Sequence, residues 1–171
     1  VDESIIDECL DLVQCEIGIL LDSLQLEAVK SAIKNSTMVI TGGPGSGKTT
    51  LLNTFIKTVE YMAQKIGMPK PSFSLAAPTG MASKRMAAST GKEARTIHKL
   101  FEIHYESLMN STEIKQLETD IVILDEVSML DIDVMAHIMR SLKDDTMLIL
   151  VGDRDQIPSI GPGNVLSDII E

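Results

Sequence analysis

Residues 38–50 read MVITGGPGSGKTT, an apolar run that breaks into four glycines within six residues and closes on a lysine and two threonines. Few architectures accept a strand that ends in so flexible a loop and restarts as a helix. Glycines let the chain turn tightly, so that successive N–H groups point inward at an anion. The helix that follows adds its N-terminal dipole and unpaired N–H groups. Gly42, Gly43, Pro44, Gly45, Ser46, Gly47, Lys48 and Thr49 fit G-x-x-x-x-G-K-[ST] at every fixed position, and Thr50 extends the helix start. The loop predicts a nucleoside triphosphate site, with Lys48 on the β- and γ-phosphates and the Thr49 hydroxyl on Mg²⁺.

Around this loop, short apolar runs alternate with helical periodicities, the pattern of βαβ units on a parallel sheet. Strands are predicted at Thr37–Thr41, Ser72–Ala76, Ile121–Leu124 and Met147–Val151. Helices are predicted at 4–17, from Asp22 or Ser23 onward, and at about 48–66, 81–90, 131–142 and 163–170. The first carries Ile5, Ile6, Leu10, Leu12 and Val13 on its apolar side. Residues 102–119 are polar and weakly periodic, so they read as helix or loop. The chain begins without Met and stops in a helical pattern without a stop signal, which reads as a piece of a longer protein. Residues 1–20 are then the helical end of a preceding region, and residues 21–171 the folded unit.

Two acidic strand ends narrow the chemistry. IVILDEVSM sets Asp125 and Glu126 at the carboxyl end of a buried strand, where ligands of open α/β sheets collect. Asp125 is expected to hold Mg²⁺ through its water shell, and Glu126 to polarise a water for attack on the γ-phosphate. LILVGDRDQIPSIGPG gives a second strand running into a loop with Gln156, a neutral amide suited to sensing the γ-phosphate. No N-K-x-D motif reads guanine, whereas Gln25, before the glycine loop, offers an amide for both edge atoms of adenine.

Charge and sulfur complete the reading. The net charge is −10, yet it is unevenly spread: residues 1–27 hold eight acids and no Lys or Arg, while residues 57–99 hold eight basic residues against two acids. Screening confines exposed charges to about 10 Å, so such a region can attract a polyanion despite the overall sign. Cys9 and Cys15 are read as buried free thiols, and His98 and His104 lack a third metal ligand. No apolar run is long enough to span a bilayer and no leader opens the chain, so the expected location is cytoplasmic.

Taken together, Gln25, GGPGSGKTT, LAAPTGMASKRM with TIHKLF, ILDEVSML and LVGDRDQIPSIGPGNVL resemble the RecD-type DNA helicases of superfamily 1, the family of the exodeoxyribonuclease V alpha subunit. The resemblance covers about residues 21–171 in order. It implies a RecA-like α/β domain with the parallel sheet order 1-4-3-2 in the four predicted strands. It implies ATP and Mg²⁺ as cofactors and movement 5′ to 3′ along single-stranded DNA. A second RecA-like domain is implied as a partner, with subunits of DNA recombination and repair beyond it. Pro78, Thr79 and Gly80 match the loop that holds a DNA phosphate, and Arg85, Thr96 and His98 lie in the matching stretch downstream. Met81 stands where the family usually has Arg and Ser83 where it usually has Ala, which removes one cationic contact. Two other readings share these motifs: an RNA helicase or relaxase-helicase motor, and a binding module that ATP only switches. Glu126 and Gln156 argue against the second, because a pure switch does not need both.

Overall fold

The computed structural model describes residues 2–103, 114–156 and 161–170. His104, most of the 102–119 segment and residues 157–160 lie outside them. The described elements run α1 (Glu3–Ile17), α2 (Ser23–Lys34), β1 (Thr37–Thr41), α3 (Lys48–Lys65), β2 (Phe73–Ala77), α4 (Gly80–Thr90), β3 (Ala94–Thr96), α5 (Ile97–Leu100) and β4 (Ile121–Leu124). A 3₁₀ turn (Val127–Met129) follows, then α6 (Ile132–Ser141), β5 (Met147–Gly152) and α7 (Val165–Ile170).

The strands form one parallel sheet in the order β1-β5-β4-β2-β3. This is the expected 1-4-3-2 order of a RecA-like α/β domain, extended by β3 at one edge. β5 separates β1 from β4, and the registers Thr41↔Gly152 and Leu124↔Leu150 bring all three carboxyl ends to one rim. β4 is buried at all four positions, as a strand covered on both faces must be. Its side chains alternate between two cores. Ile121 and Ile123 join Ile149, Leu52, Phe55, Val29 and Leu10 on one face, while Val122 and Leu124 join Leu148, Leu150, Ile138 and Leu166 on the other. The end of β5 is crowded enough to favour glycine. A Cβ on Gly152 would lie 2.7 Å from Leu166 Cδ2 and 3.1 Å from Val127 Cγ2.

α1 departs from the expected face. Ile6, Cys9, Leu10 and Val13 are buried, the i, i+3, i+4, i+7 stripe of one helix side, whereas Leu12 is 52% exposed. Leu12 follows Leu10 by two residues, which turns it to the far side. The same geometry separates the thiols. Cys9 is buried in the stripe, and Cys15, six residues on, is exposed rather than buried as expected. The charge asymmetry is largely consumed within the fold. Lys57 and Lys65 of α3 pair with Glu16 and Glu8 of α1, and Lys70 and Lys92 share Glu60. Much of the basic region is thereby neutralised before any polyanion meets it. Among the described residues no helix is long and apolar enough to cross a membrane.

Candidate functional site

The glycine loop joins β1 to α3 as its sequence requires. Gly45 (φ 75°) and Gly47 (φ 81°) take left-handed backbone that an L side chain rarely adopts. A Cβ at Gly47 would also come within 2.8 Å of Gln25 Nε2, so the amide would have to shift. Lys48 Nζ donates to the carbonyls of Gly42 and of Gly43, the latter at 2.8 Å, and lies 3.5 Å from Ser46 Oγ. The ammonium thus sits inside the loop rather than out in solvent.

The start of α3 differs from its neighbours. Asp2, Asp22, Thr79, Thr96 and Asp131 cap α1, α2, α4, α5 and α6 through side-chain oxygens. α3 begins at Gly47 with no side-chain cap. The first N–H groups of any helix lack intrahelical acceptors. At an 18-residue helix those groups, with its dipole, favour an anion.

Gln25 stands beside this loop, in a role that its motif did not reveal. Its Oε1 accepts the Asp22 N–H (3.1 Å) while its own N–H donates to Asp22 Oδ1 (2.9 Å), a reciprocal capping box. The amide is therefore locked in orientation, with Nε2 turned toward Gly47. A cavity of about 420 Å³ is lined by Gln25, Leu24, Val39, Ser46 and Lys48 among others.

Across the loop, Asp125 continues the β4 ladder by donating its N–H to Ala76 O (2.9 Å). Its Oδ1 accepts the Glu126 N–H at 2.8 Å. Burial pushes the Asp125 carboxyl above its ordinary range, opposed by that hydrogen bond and by the charges of Lys48 and Arg85. Glu126 adopts φ 54° and ψ 38°, left-handed backbone for a non-glycine residue. Such a conformation costs about 1–2 kcal/mol, and such strain clusters at functional sites. Thr49, Asp125 and Glu126 share the wall of a cavity of about 280 Å³ with Arg85 and Ser89. At the neighbouring strand end, Gln156 Oε1 accepts from Ser128 Oγ at 3.4 Å, tying the β5 loop to the turn after Glu126. The structure therefore brings Lys48, Thr49, Asp125, Glu126 and Gln156 to one rim.

The residues expected on a nucleic acid divide into two groups. The register Ala77↔Thr96 sets Thr96 beside the residue that precedes Pro78. Pro78, Thr79, Gly80, Thr96 and the exposed His98 thus gather where β2 and β3 end. Thr79 and Thr96 already cap α4 and α5. Met81 is 73% exposed next to Gly80, and the Ser83 hydroxyl donates back to Gly80 O at 3.0 Å. Arg85 stands apart from this group, on the cleft side of α4, with Nη2 3.3 Å from Glu126 Oε1. Sequence reasoning missed this contact because the two residues are 41 positions apart.

Residues 25–162 match the AAA domain family. The chain belongs to that family. This AAA domain is 33% identical over 165 residues to the RecBCD enzyme subunit RecD of Mycolicibacterium smegmatis, covering 86% of the chain and 30% of that protein. It is 33% identical over 126 residues to the ATP-dependent RecD2 DNA helicase of Deinococcus radiodurans, covering 74% of the chain and 16% of that protein. Bacteroides Pif1 bound to single-stranded DNA superposes with a TM-score of 0.58 at 25% identity, covering 89% of this chain and 36% of that one. The RecD resemblance of the motifs is borne out by these relatives. The AAA domain spans less than a third of the length of the RecD subunits it matches.

Proposed function

We propose that this chain is the ATP-binding and hydrolysing motor domain of a RecD-type DNA helicase that moves 5′ to 3′ on single-stranded DNA in the cytoplasm. The observation that carries the proposal is the shared rim: an uncapped α3 start with Lys48, and a cavity of about 280 Å³ lined by Thr49, Asp125 and Glu126. Residues Gly42 to Thr50 wrap the phosphates, and Lys48 holds the β- and γ-phosphates. Glu126 takes the proton of the attacking water, and Gln156 reports the γ-phosphate to the β5 loop.

The donor set also fits Mg²⁺. Among the described residues no cluster of three or more His, Cys, Asp or Glu side chains exists to cage a metal. Mg²⁺ needs none, since it keeps several waters and takes one or two protein oxygens plus substrate phosphates. Thr49 and Asp125 supply those oxygens, and a cation would relieve the cost of burying the Asp125 carboxylate. When bound, the ion neutralises charge on the phosphate oxygens.

Pro78, Thr79, Gly80, Thr96 and His98 supply N–H, hydroxyl and imidazole groups for DNA phosphates. A second RecA-like domain completes the ATP site with an arginine, and recombination or repair subunits are the partners that RecD kinship favours. Turnover tests the reading. In a longer protein that carries the second RecA-like domain, wild-type ATPase is expected to rise with saturating oligo-dT and to respond weakly to poly-U. Equal stimulation by both favours an RNA-competent motor, and no response to either, with ATP still bound, favours a switched binding module.

Base choice is a separate expectation. With Oε1 partly engaged by Asp22, Gln25 still has two amide N–H groups and a free lone pair for an adenine edge. Gln25→Ala is expected to weaken ATP by about five- to tenfold, the worth of one or two hydrogen bonds, and GTP by less. Competition binding of both nucleotides checks this, and equal losses would remove Gln25 from base reading.

A further inference from the structure

The Arg85–Glu126 contact lies in the cleft, yet the chemistry proposed above does not use it. Glu126 must offer its carboxylate to a water, and a guanidinium at 3.3 Å competes for that carboxylate. Arg85 is 71% exposed and Glu126 25% exposed, so the pair faces solvent on one side. Exposed ion pairs are weak. A weak pair suits a restraint that another anion can release.

The element that carries Arg85 starts where the proposed DNA phosphates would supply such an anion. α4 opens at Gly80, directly after Pro78 and Thr79, and reaches Arg85 five residues later. At 1.5 Å per residue the two points are about 7.5 Å apart along the helix axis. Lys84, next to Arg85, has no ion pair with any described residue. One helix therefore spans from the β2–β3 rim to the nucleotide cleft.

We propose that Arg85 is a positioning residue that holds Glu126 back while no nucleic acid is bound, and that DNA phosphates at the start of α4 draw the guanidinium away. The inference rests on the motor-domain reading above. DNA stimulation then arises partly from releasing the general base, in addition to any closing of a second domain.

In a longer protein that carries the second RecA-like domain, the test compares wild type with Arg85→Gln, Arg85→Lys and Lys48→Ala at saturating Mg-ATP, with and without saturating oligo-dT. In Arg85→Gln, DNA-free kcat is expected to rise about two- to fivefold, the most an exposed pair can withhold. KM for ATP stays within about twofold, since an effect on the general base belongs to kcat. The ratio of DNA-stimulated to DNA-free rates falls by the same factor, and Arg85→Lys lies between. Unchanged DNA-free turnover with a higher oligo-dT requirement makes Arg85 a plain phosphate contact and overturns the proposal. A fall in turnover both with and without DNA makes Arg85 a productive charge partner and overturns it too. Turnover that survives Lys48→Ala counts against the ATP site itself. A second measurement does not depend on turnover. The Arg85 guanidinium N–H signals in ¹⁵N NMR, assigned from their loss in Arg85→Lys, are expected to be protected in the wild type. Protection disappears in Glu126→Ala, which removes the acceptor, and on adding oligo-dT. Protection that persists at saturating oligo-dT, or that Glu126→Ala leaves intact, overturns the restraint.

Discussion

Lys48→Ala is expected to abolish ATP binding, with affinity falling at least about 100-fold, because it removes a charged donor to two phosphates at roughly 1.5–3 kcal/mol for each bond. The loop itself should survive. Lys48 Nζ contributes hydrogen bonds to Gly42 and Gly43, but the turn is set by the left-handed glycines and the strand pairing of β1 with β5. Alanine is also the best helix former, so the first turn of α3 is not weakened. Isothermal titration with Mg-ATP reads the loss, and circular dichroism checks that α3 persists. Affinity within about threefold of wild type, with the fold intact, would remove the lysine from the phosphate site. Loss of helical signal would instead give the lysine a structural role.

The parts of this site that were legible in the sequence are those written in consecutive residues. The P-loop announces itself because glycine at fixed steps, a lysine and a hydroxyl must follow one another to wrap a phosphate. Asp125 and Glu126 were legible because carboxylates directly after four buried apolar residues need a cation or hydrogen-bond donors to offset their burial. β3 was not. Three residues, Ala94–Thr96, form it only because β2 leaves an open edge to pair with, and so short a run has no periodicity of its own. Leu12 misled for the opposite reason. Composition places a leucine inside, but its angle on α1 points it outward, and Cys9 takes the place in the stripe. The basic region misled as well, since counting charges cannot reveal that Lys57 and Lys65 lie against Glu16 and Glu8. Gln25 offers an amide to a ligand in the sequence, and the fold adds the Asp22 cap that aims it. Arg85 needed the sheet order. Only when β2 lies beside β4 does the helix after one face the carboxylate after the other.

Glu126→Gln separates binding from chemistry. The substitution keeps the size and hydrogen-bonding capacity of the side chain and removes the carboxylate that takes a proton from water. Mg-ATP affinity should change little, because Lys48, Thr49 and Asp125 are untouched. DNA-stimulated hydrolysis should fall by about 10²-fold or more, the scale of a lost general base. The size of the fall depends on what else limits the rate. In a longer chain with its second RecA-like domain, an arginine from that domain stabilises the γ-phosphate charge and leaves proton removal rate-determining. The 171-residue chain alone is expected to work without that second-domain arginine, at a cost of roughly 10³-fold or more. The same substitution should then change turnover much less, since effects of groups that act as a unit are not additive. Turnover of both proteins, wild type and Glu126→Gln, at saturating ATP and oligo-dT makes the comparison. A 171-residue chain that hydrolyses ATP as fast as the longer protein, and responds to DNA, would refute the idea that it is half of a motor. A full 10²-fold loss in both proteins would keep Glu126 as the base and remove the second domain from the rate-limiting step.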